Sequence, residues 1–321
     1  MSHPALQYDF ILFDEAQDAN PVTTDLVLNQ RCGLVLVGDH HQQIYQFRGA
    51  RNAMSSTDGS KFYLTESHRF GAKIAEVANR ILFVKGETRS IQGKRPNDAV
   101  GKLTYQKPFT TICRTNAGVF EQACLVPDGH QIYFVGGMDN YQFKRLEDTY
   151  HLRQGRPELV KDNYLRQFET FEALSSCADQ TADPELRGLK YTVEEYGKDI
   201  PKLIRRINSM MVSDETKATR LLTNAHKAKG LQFAQVKLAD DFISLSDYQT
   251  RCLGGKYKES ELEAEINLLY VAATRAQQHL EIDEELLELS KPSSSKPSVT
   301  VSAIKSGADL KPSFFKRVFS R

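Results

Sequence analysis

Short apolar runs alternate along the chain with stretches in which apolar residues recur every three or four positions. Residues Phe10–Phe13 form an unbroken apolar run that ends in acids, which is typical of a strand buried on both faces of a parallel sheet. The same pattern predicts further strands at Leu34–Val37, Phe62–Leu64, Thr110–Cys113, Gln131–Val135, Leu221–Thr223, Val236–Ala239 and His279–Ile282. Strands that alternate with helices indicate an α/β fold with a mostly parallel sheet.

Two segments between these runs have the i, i+3, i+4, i+7 spacing of an amphipathic helix. Their apolar positions are Ile74, Val77, Ala78, Ile81 and Leu82 in the first segment, and Leu262, Ile266, Leu269, Tyr270 and Ala273 in the second. The stretch from about Tyr141 to Thr219 breaks the alternation, because it is polar, helical in tendency and poor in strand-like runs. We therefore predict a helical insertion there.

Composition excludes several classes of protein. With 40% hydrophobic and 26% charged residues, the chain is neither wholly disordered nor collagen-like, and no apolar run is long enough to cross a membrane. Five cysteines without a C-x-x-C pair favour a reducing compartment. Residues 291–321 hold seven basic side chains, one acidic side chain and eight serines, so we predict a disordered basic tail.

Two adjacent carboxylates, Asp14 and Glu15, directly follow the first apolar run. Ligands of open parallel sheets bind beyond the carboxyl ends of the strands, so these side chains are predicted to lie at a ligand-binding edge. One carboxylate there can hold Mg²⁺ while the other polarises an attacking water, as nucleotide hydrolysis requires. A solvated strand end is the alternative explanation of this pair.

Six blocks of residues occur in a characteristic order at plausible spacing. They are Asp14–Asp18, Val37–Ala50, Leu64–Arg69, Cys113–Ala117, Thr223–Phe233 and Leu269–Ala276. In these blocks the chain resembles the superfamily 1 DNA helicases of the UvrD/Rep type, and within that group it is most similar to the F-box DNA helicases.

The resemblance implies RecA-like parallel sheets with flanking helices, in two lobes that clamp ATP and Mg²⁺ and move along single-stranded DNA, usually 3′ to 5′. Residues 1–60 are then expected to be the last part of the first lobe, and residues 61–140 and 220–290 a complete second lobe. Residues 141–219 are the short helical insertion. The expected activity is that of an ATP-dependent helicase in DNA repair or recombination, in the nucleus, or in the cytoplasm of a bacterial source.

The resemblance also implies roles around the phosphates. Asp14 is expected to serve Mg²⁺, and Glu15 to orient or deprotonate the attacking water. Gln42 is expected to sense the γ-phosphate. Arg69 and Arg275 are expected to stabilise charge on the transferred phosphoryl group, as arginine fingers do. Outside this context, each arginine would be read as a surface ion-pair partner.

Three further residues are expected near the nucleotide. His68 stands where many relatives have a tyrosine that stacks on adenine, and an imidazole offers less stacking area. Gly230 and Gln232 belong to the motif Gly230-Leu231-Gln232-Phe233, in which many relatives have a glutamate at the position of Gln232. The replacement is expected to weaken a contact to the ribose.

The expected DNA contacts combine flat rings with positive charge. Phe47 occupies the place of a stacking aromatic, often tryptophan, and Arg48 is beside it; the chain contains no tryptophan. His226 is similar to a DNA-contacting histidine of the family, although a lone histidine is usually structural. Arg114 and Asn116 are expected to line the strand track on the second lobe.

One expected element is missing from the sequence. A phosphate-binding loop reads G-x-x-x-x-G-K-[ST], and none of the Gly-Lys pairs is followed by Ser or Thr: Gly93-Lys94, Gly101-Lys102, Gly197-Lys198 and Gly255-Lys256. Only 13 residues precede Asp14, so we expect an N-terminally truncated first lobe and little or no unwinding. The alternative is a non-catalytic fragment that binds single-stranded DNA or a partner without ATP hydrolysis. No F-box is recognised, so ubiquitin-ligase partners are not predicted.

Overall fold

A computed structural model describes residues 8–181, 183–255 and 258–289. Its strands are β1 (Phe10–Phe13), β2 (Gly33–Leu36), β3 (Glu66–Ser67), β4 (Gln92–Gly93), β5 (Ala99–Val100), β6 (Phe109–Cys113), β7 (Ile132–Phe134), β8 (Arg220–Asn224), β9 (Phe233–Leu238) and β10 (Ala276–Glu281). Seven of the eight predicted strands are present, with ends shifted by at most about three residues.

Eleven α-helices lie within the described residues: α1 (Pro21–Leu28), α2 (Ala72–Val84), α3 (Asn116–Leu125), α4 (Phe143–Arg153), α5 (Phe171–Thr181), α6 (Pro184–Tyr196), α7 (Ile200–Met210), α8 (Ala225–Ala228), α9 (Leu245–Gly254), α10 (Glu259–Ala273) and α11 (Glu284–Leu287). Short 3₁₀ helices occur at Ala16–Asp18, His40–Gln42, Gln46–Arg48, Ala53–Ser56, Met138–Tyr141, Pro157–Leu159, Leu165–Gln167, Gly197–Asp199 and Glu215–Lys217. The two predicted amphipathic helices are α2 and α10.

A six-stranded parallel sheet organises most of the chain, in the order β5-β10-β9-β6-β8-β7. Helices α2, α8, α9 and α10 pack their apolar side chains on one face, and α3 with α4–α7 covers the other. The predicted α/β fold with RecA-like parallel sheets and flanking helices is confirmed. Helices α4–α7 and short 3₁₀ helices account for most of the predicted helical stretch 141–219, and their core is continuous with α3 and with side chains of β7 and β8.

The small sheet of β1 and β2 is parallel but is buried on one face only. Phe13 and Leu36 pack against the small buried alanines Ala16 and Ala53, whereas Phe10 is 70% exposed and Leu12 is 76% exposed. The prediction that Phe10–Phe13 is buried on both faces is therefore wrong for the described residues. One face of this two-stranded sheet packs on a small core, and no described residue covers the other face.

The predicted strand Phe62–Leu64 is also wrong. Residues 61–65 contain no strand, and Phe62 and Leu64 are 89% and 94% exposed. Pairing begins only at β3, which lies beside β4. An apolar run forms a strand only where a neighbouring strand completes its hydrogen bonds, and residues 62–64 have no such neighbour among the described residues.

The segment after β2 packs against the larger body. Ile44 is buried in the same apolar core as α2 and α10, and this contact brings the carboxyl end of β2 to the end of α10.

No helix in the described part of the chain is long and apolar enough to cross a membrane. The predicted disordered tail, residues 291–321, lies outside the described residues.

Candidate functional site

The loop after β1 presents its acidic side chains in a constrained conformation. Glu15 has a φ of 52°, in the left-handed region that costs a non-glycine residue energy. The buried Gln17 donates from Nε2 to Glu15 Oε2 at 2.5 Å, and its Oε1 accepts from the backbone N–H of Asp39 at 3.1 Å. Because Asp39 follows β2, Gln17 ties the carboxyl ends of the two strands together and holds Glu15 between them.

Gln42 lies where the small sheet meets the larger body. It ends the 3₁₀ helix that follows β2, and its Nε2 donates to Asp39 Oδ2 at 2.9 Å. Its Oε1 lies 3.5 Å from Nη2 of Arg275, which follows α10. Arg275 is buried, and its Nε donates to the carbonyl of Val271 at 2.9 Å. Two residues 233 positions apart in the chain therefore share one site.

Two arginines stand close together in this site. Burial and the positive charge of Arg69 together lower the pKa of Arg275 to about 10, against the opposing effect of Glu15. Burial likewise lowers the pKa of Arg69, whose Nη1 donates to the carbonyl of Thr274 at 3.2 Å. A guanidinium group is not deprotonated in proteins near neutral pH, so both side chains carry a positive charge.

An unsatisfied donor makes this arginine pair suited to an anion. Nε of Arg69 is buried and has no hydrogen-bond partner among the described residues. A buried N–H without an acceptor is costly, and two neighbouring guanidinium groups repel each other unless negative charge lies between them. Phosphate oxygens satisfy both requirements, so the residues present fit the phosphate end of ATP.

The carboxylates also fit Mg²⁺, which is bound in proteins by one or two carboxylates and several waters. Asp14 is exposed, and its Oδ1 accepts from the backbone N–H of Glu15 at 2.9 Å, which leaves further lone pairs free. Ligand atoms of Asp39, His40 and His41 also lie within 4.8 Å of one another. Both ring nitrogens of His41 are already engaged, by a lysine and a glutamate, so this second group is less suited to a cation.

Lys229 is part of the site, although no role was predicted for it. Its ammonium group binds the Asp18 carboxylate, donates to the carbonyl of Gln42 at 2.9 Å and lies 3.3 Å from Glu15 Oε2. The side chain is nearly buried. Lys229 follows β8 and the short helix α8, and this position at the end of a buried strand could have suggested a role in the site. The sequence could not show which acidic residues the lysine contacts.

The other predicted nucleotide contacts lie at the surface. His68 is exposed beside Arg69. Gly230 is exposed in a turn with a φ of 82°, a conformation that favours glycine. Gln232 accepts from Nε2 of Gln277 at 2.8 Å. Contacts of these three residues with a nucleotide stay predictions.

Three of the predicted DNA-contacting residues form one aromatic cluster. The Phe47 ring is 69% exposed and meets His226 edge to face, with ring centroids 5.4 Å apart. The guanidinium of Arg48 lies 5.3 Å from the Phe47 ring centroid and 5.4 Å from that of Tyr45. Tyr45 donates from its hydroxyl to the carbonyl of His226 at 3.0 Å. A flat exposed ring beside a cation results.

The imidazole of His226 is neutral at physiological pH. Burial lowers its pKa to about 4, and the charge of Arg114 contributes in the same direction. His226 belongs to α8, whose first turn is capped by Asn224 accepting from the backbone N–H of Lys227 at 2.9 Å. The same short helix leads directly to Lys229, so only two residues separate His226 of the aromatic cluster from Lys229, which contacts Glu15.

Arg114 and Asn116 do not join the aromatic cluster. Arg114 forms a two-pronged ion pair with Glu265, with Nε 2.6 Å from Oε2. Burial alone would lower the pKa of Arg114, but the charge and hydrogen bonds of Glu265 outweigh burial and raise it. Asn116 accepts from Nδ2 of Asn224 at 2.8 Å. A DNA phosphate would have to compete with Glu265, so the structure places Arg114 as an internal ion-pair partner.

Family models match both parts of the chain. The model described as the UvrD/REP helicase N-terminal domain matches residues 2–62, and the UvrD-like helicase C-terminal domain matches residues 139–284.

Individual proteins are similar over most of this chain. F-box DNA helicase 1 of Gallus gallus is 35% identical over 312 residues, which cover 90% of this chain and 30% of that protein. F-box DNA helicase protein 1 of Schizosaccharomyces pombe is 32% identical over 310 residues, covering 88% of this chain and 34% of that protein. A probable DNA helicase II homolog of Mycoplasma pneumoniae is 23% identical over 294 residues, 77% of this chain and 40% of that protein. The chain thus spans about a third of the length of these F-box helicases.

Proposed function

The chain belongs to the UvrD-like helicases, and on that premise we propose that it is the part of an ATP-dependent DNA helicase that completes the nucleotide site and contacts single-stranded DNA. Movement is proposed to run 3′ to 5′, in DNA repair or recombination. Residues 1–60 belong to the first lobe, residues 61–140 and 220–290 to the second, and residues 141–219 are inserted in the second. By its likeness to eukaryotic F-box DNA helicases, we place the protein in the nucleus.

The observation that carries the proposal is the convergence of Glu15, Gln42 and Arg275 from separate parts of the chain. Nη2 of Arg275 lies 3.5 Å from Gln42 Oε1, and the negative charge of Glu15 acts on the pKa of both Arg69 and Arg275. A carboxylate, an amide and two cations at the carboxyl ends of parallel strands suit phosphoryl transfer to water.

Each residue has a proposed task. Mg²⁺ and ATP, when bound, supply the phosphoryl group and part of its charge neutralisation. Glu15, held by Gln17, orients the attacking water and accepts its proton. Arg69 and Arg275 donate to the phosphate oxygens, and Gln42 links Arg275 to the strand end that carries Asp39. Asp14 serves the metal.

The aromatic cluster is the proposed DNA contact. The exposed ring of Phe47 offers a stacking face for a base, and the neighbouring Arg48 offers charge for the phosphate backbone. His226 supports the ring as a neutral imidazole. Helix α8 contains His226 and is followed by Lys229, which contacts Glu15. A shift of His226 on DNA binding would therefore be transmitted to Glu15 through one helical turn.

A second candidate function is binding of single-stranded DNA, or of a partner, without ATP hydrolysis. It is favoured by the absence from this sequence of any Gly-Lys pair followed by Ser or Thr, since such a loop cradles the phosphates. The aromatic cluster does not depend on that loop, so DNA binding is expected under either function.

Phosphate release by the 321-residue chain, with and without single-stranded DNA, distinguishes the two candidates. Hydrolysis requires DNA-stimulated release that falls by about a thousandfold in Arg275→Ala and by a similar factor in Glu15→Gln. Arg206→Ala is the matched control, because Arg206 also bonds buried carbonyls but lies in the helical region. Release no higher than in Glu15→Gln, with DNA binding lost in Phe47→Ala, would establish the second candidate.

If release is observed, strand-displacement assays on duplexes with 3′ or 5′ single-stranded tails determine the direction. Unwinding that needs the 3′ tail is expected. Unwinding that needs the 5′ tail would contradict the proposed polarity without affecting the assignment of the ATP site.

A further inference from the structure

A buried lysine, which belongs to none of the six sequence blocks, contacts residues next to Gln42. Lys85 directly follows α2, and its side chain is 4% exposed. Its ammonium lies 2.8 Å from Nδ1 of His41, 2.6 Å from Oδ1 of Asn267 and 3.3 Å from Glu263 Oε1. The three N–H groups of the ammonium thus have three acceptors, on two other parts of the chain. Burial lowers the pKa of Lys85, while the charge of Glu263 opposes that shift.

The contact with Lys85 determines the tautomer of His41. An ammonium group can only donate, so Nδ1 of His41 is the acceptor and its proton is on Nε2. Nε2 then donates to Glu87 Oε2 at 3.3 Å. Burial, with the charge of Lys85, lowers the pKa of His41 to about 4, so one neutral tautomer is held at physiological pH.

Lys85 also determines the orientation of the fully buried Asn267 amide. Because Oδ1 accepts from Lys85, Nδ2 faces the 3₁₀ helix and donates to the carbonyls of His40, at 3.3 Å, and Gln43, at 2.9 Å. These carbonyls flank Gln42 in the chain. A flipped amide would place Oδ1 against two carbonyl oxygens, which the Lys85 contact prevents.

We propose that Lys85 and Asn267 are positioning residues for Gln42, a role that rests on the proposed ATP hydrolysis. Lys85 orients Asn267, and Asn267 holds the backbone on both sides of Gln42 so that its Oε1 stays within reach of Arg275. Asn267 and Arg275 are both supported by α10, so one helix fixes the amide and the arginine relative to each other. Lys85 extends this support to the end of α2.

Asn267→Asp tests the pair without emptying space in the core. The carboxylate keeps a partner in Lys85, but it cannot donate to the two carbonyls. Residue-resolved hydrogen exchange by NMR should show the amides of Gln42 and Gln43 exchanging at least about tenfold faster, because both hydrogen bonds from the Asn267 amide are lost. Lys85→Met, which frees the Asn267 amide to flip, should have the same local effect.

Asn79→Asp is the matched control. The Asn79 amide also bridges backbone groups, to Ile91 N–H at 2.8 Å and Ile91 C=O at 2.9 Å, but it does not touch the Gln42 segment. Exchange at Gln42 and Gln43 should therefore match the parent chain. Unchanged exchange in Asn267→Asp, or equal acceleration in Asn79→Asp, would overturn the proposal.

Phosphate release separates positioning from a general structural role. If the parent chain hydrolyses ATP, Asn267→Asp should lower kcat about tenfold with KM unchanged, because Gln42 acts on the transition state. A rise in KM alone would overturn the assigned role. If the parent chain releases no more phosphate than Glu15→Gln, the proposed hydrolysis fails, whereas the exchange comparison still decides whether Lys85 and Asn267 hold this segment.

Discussion

Strand β6 of the six-stranded sheet is buried along its whole length, whereas in β1 of the two-stranded sheet Phe10 and Leu12 face solvent. Both strands are short, largely apolar runs in parallel sheets. The difference lies in their neighbours, since β6 has a strand on each side and helices over both faces, and β1 has one strand and one small core. An apolar run therefore predicts a strand more securely than it predicts burial.

As a result, the two sides of the candidate site are held in place by different kinds of interaction. Arg275 follows α10, which packs within the main core, and Asn267 of that helix bonds the carbonyls of His40 and Gln43, on either side of Gln42. Glu15 instead follows β1 and is held by individual polar contacts with Gln17 and Lys229. The arginine side of the site is thus supported by packing, and the carboxylate side depends on a few hydrogen bonds and ion pairs.

The largest stability difference is expected between matched substitutions in the two sheets. Ile112→Ala in β6 empties a fully buried site and should lower the free energy of unfolding by about 3 kcal/mol. Leu12→Ala in β1 removes an exposed side chain and should change it by less than about 0.5 kcal/mol. Urea denaturation at fixed pH measures both. Comparable losses in the two variants would mean that the exposed face of β1 is covered in solution.

A smaller and more local effect is expected when Lys229 is replaced. Lys229→Met leaves the carboxylates of Asp18 and Glu15 without their shared cation, and partial exposure limits the expected loss to about 2 kcal/mol. Amide exchange should accelerate in β1 and stay unchanged in β6.

Two further variants sharpen the Lys229 comparison. Asp18→Asn added to Lys229→Met should recover part of the loss, because one unpaired charge is removed with it. Lys190→Met breaks an ion pair with Asp179 in the helical region, and it should leave exchange in β1 as in the parent chain. Equal acceleration of β1 and β6 in Lys229→Met would show that Lys229 supports the whole fold.

Much of the fold could be predicted because strand and helix periods are local properties of the sequence. Strands β6–β10 of the main sheet follow from their apolar runs, and helices α2 and α10 follow from their apolar spacing, whereas the two-residue edge strand β5 was not predicted. The expectation that Gln42 and Arg275 share one site came from the resemblance to the UvrD/Rep-type helicases, not from apolar spacing.

The contacts of Lys85 and Lys229 could not be predicted in the same way. Their partners lie 182 and 187 positions away in the chain, at Asn267 and Gln42, and a lysine in a sequence does not show which acceptor it will meet. The Arg114–Glu265 ion pair escaped prediction for the same reason. Polar pairs between residues far apart in the chain depend on how the helices and strands pack, and the local spacing of apolar residues contains no information about that packing.

The smallest expected effect concerns pH and the aromatic cluster. His226 has a pKa of about 4 in the folded chain, against an ordinary value near 6.5, so between these values the unfolded chain binds more protons. The contribution of His226 to stability is therefore complete above about pH 6.5 and is lost as pH falls toward 4. After allowance for solvent screening, we expect a loss of about 1 kcal/mol between pH 7 and pH 5.

Urea denaturation at the two pH values, for the parent chain and His226→Gln, measures this contribution. The variant should lose less stability on acidification, because glutamine cannot be protonated in this range. His68→Gln makes the same chemical change at an exposed position and should retain the parental pH response. An unchanged pH response in His226→Gln would mean that the imidazole is open to solvent in the folded chain. The support of Phe47 by a neutral, half-buried ring would then be wrong, and the DNA side of the site would depend on Arg48 and the exposed phenyl ring alone.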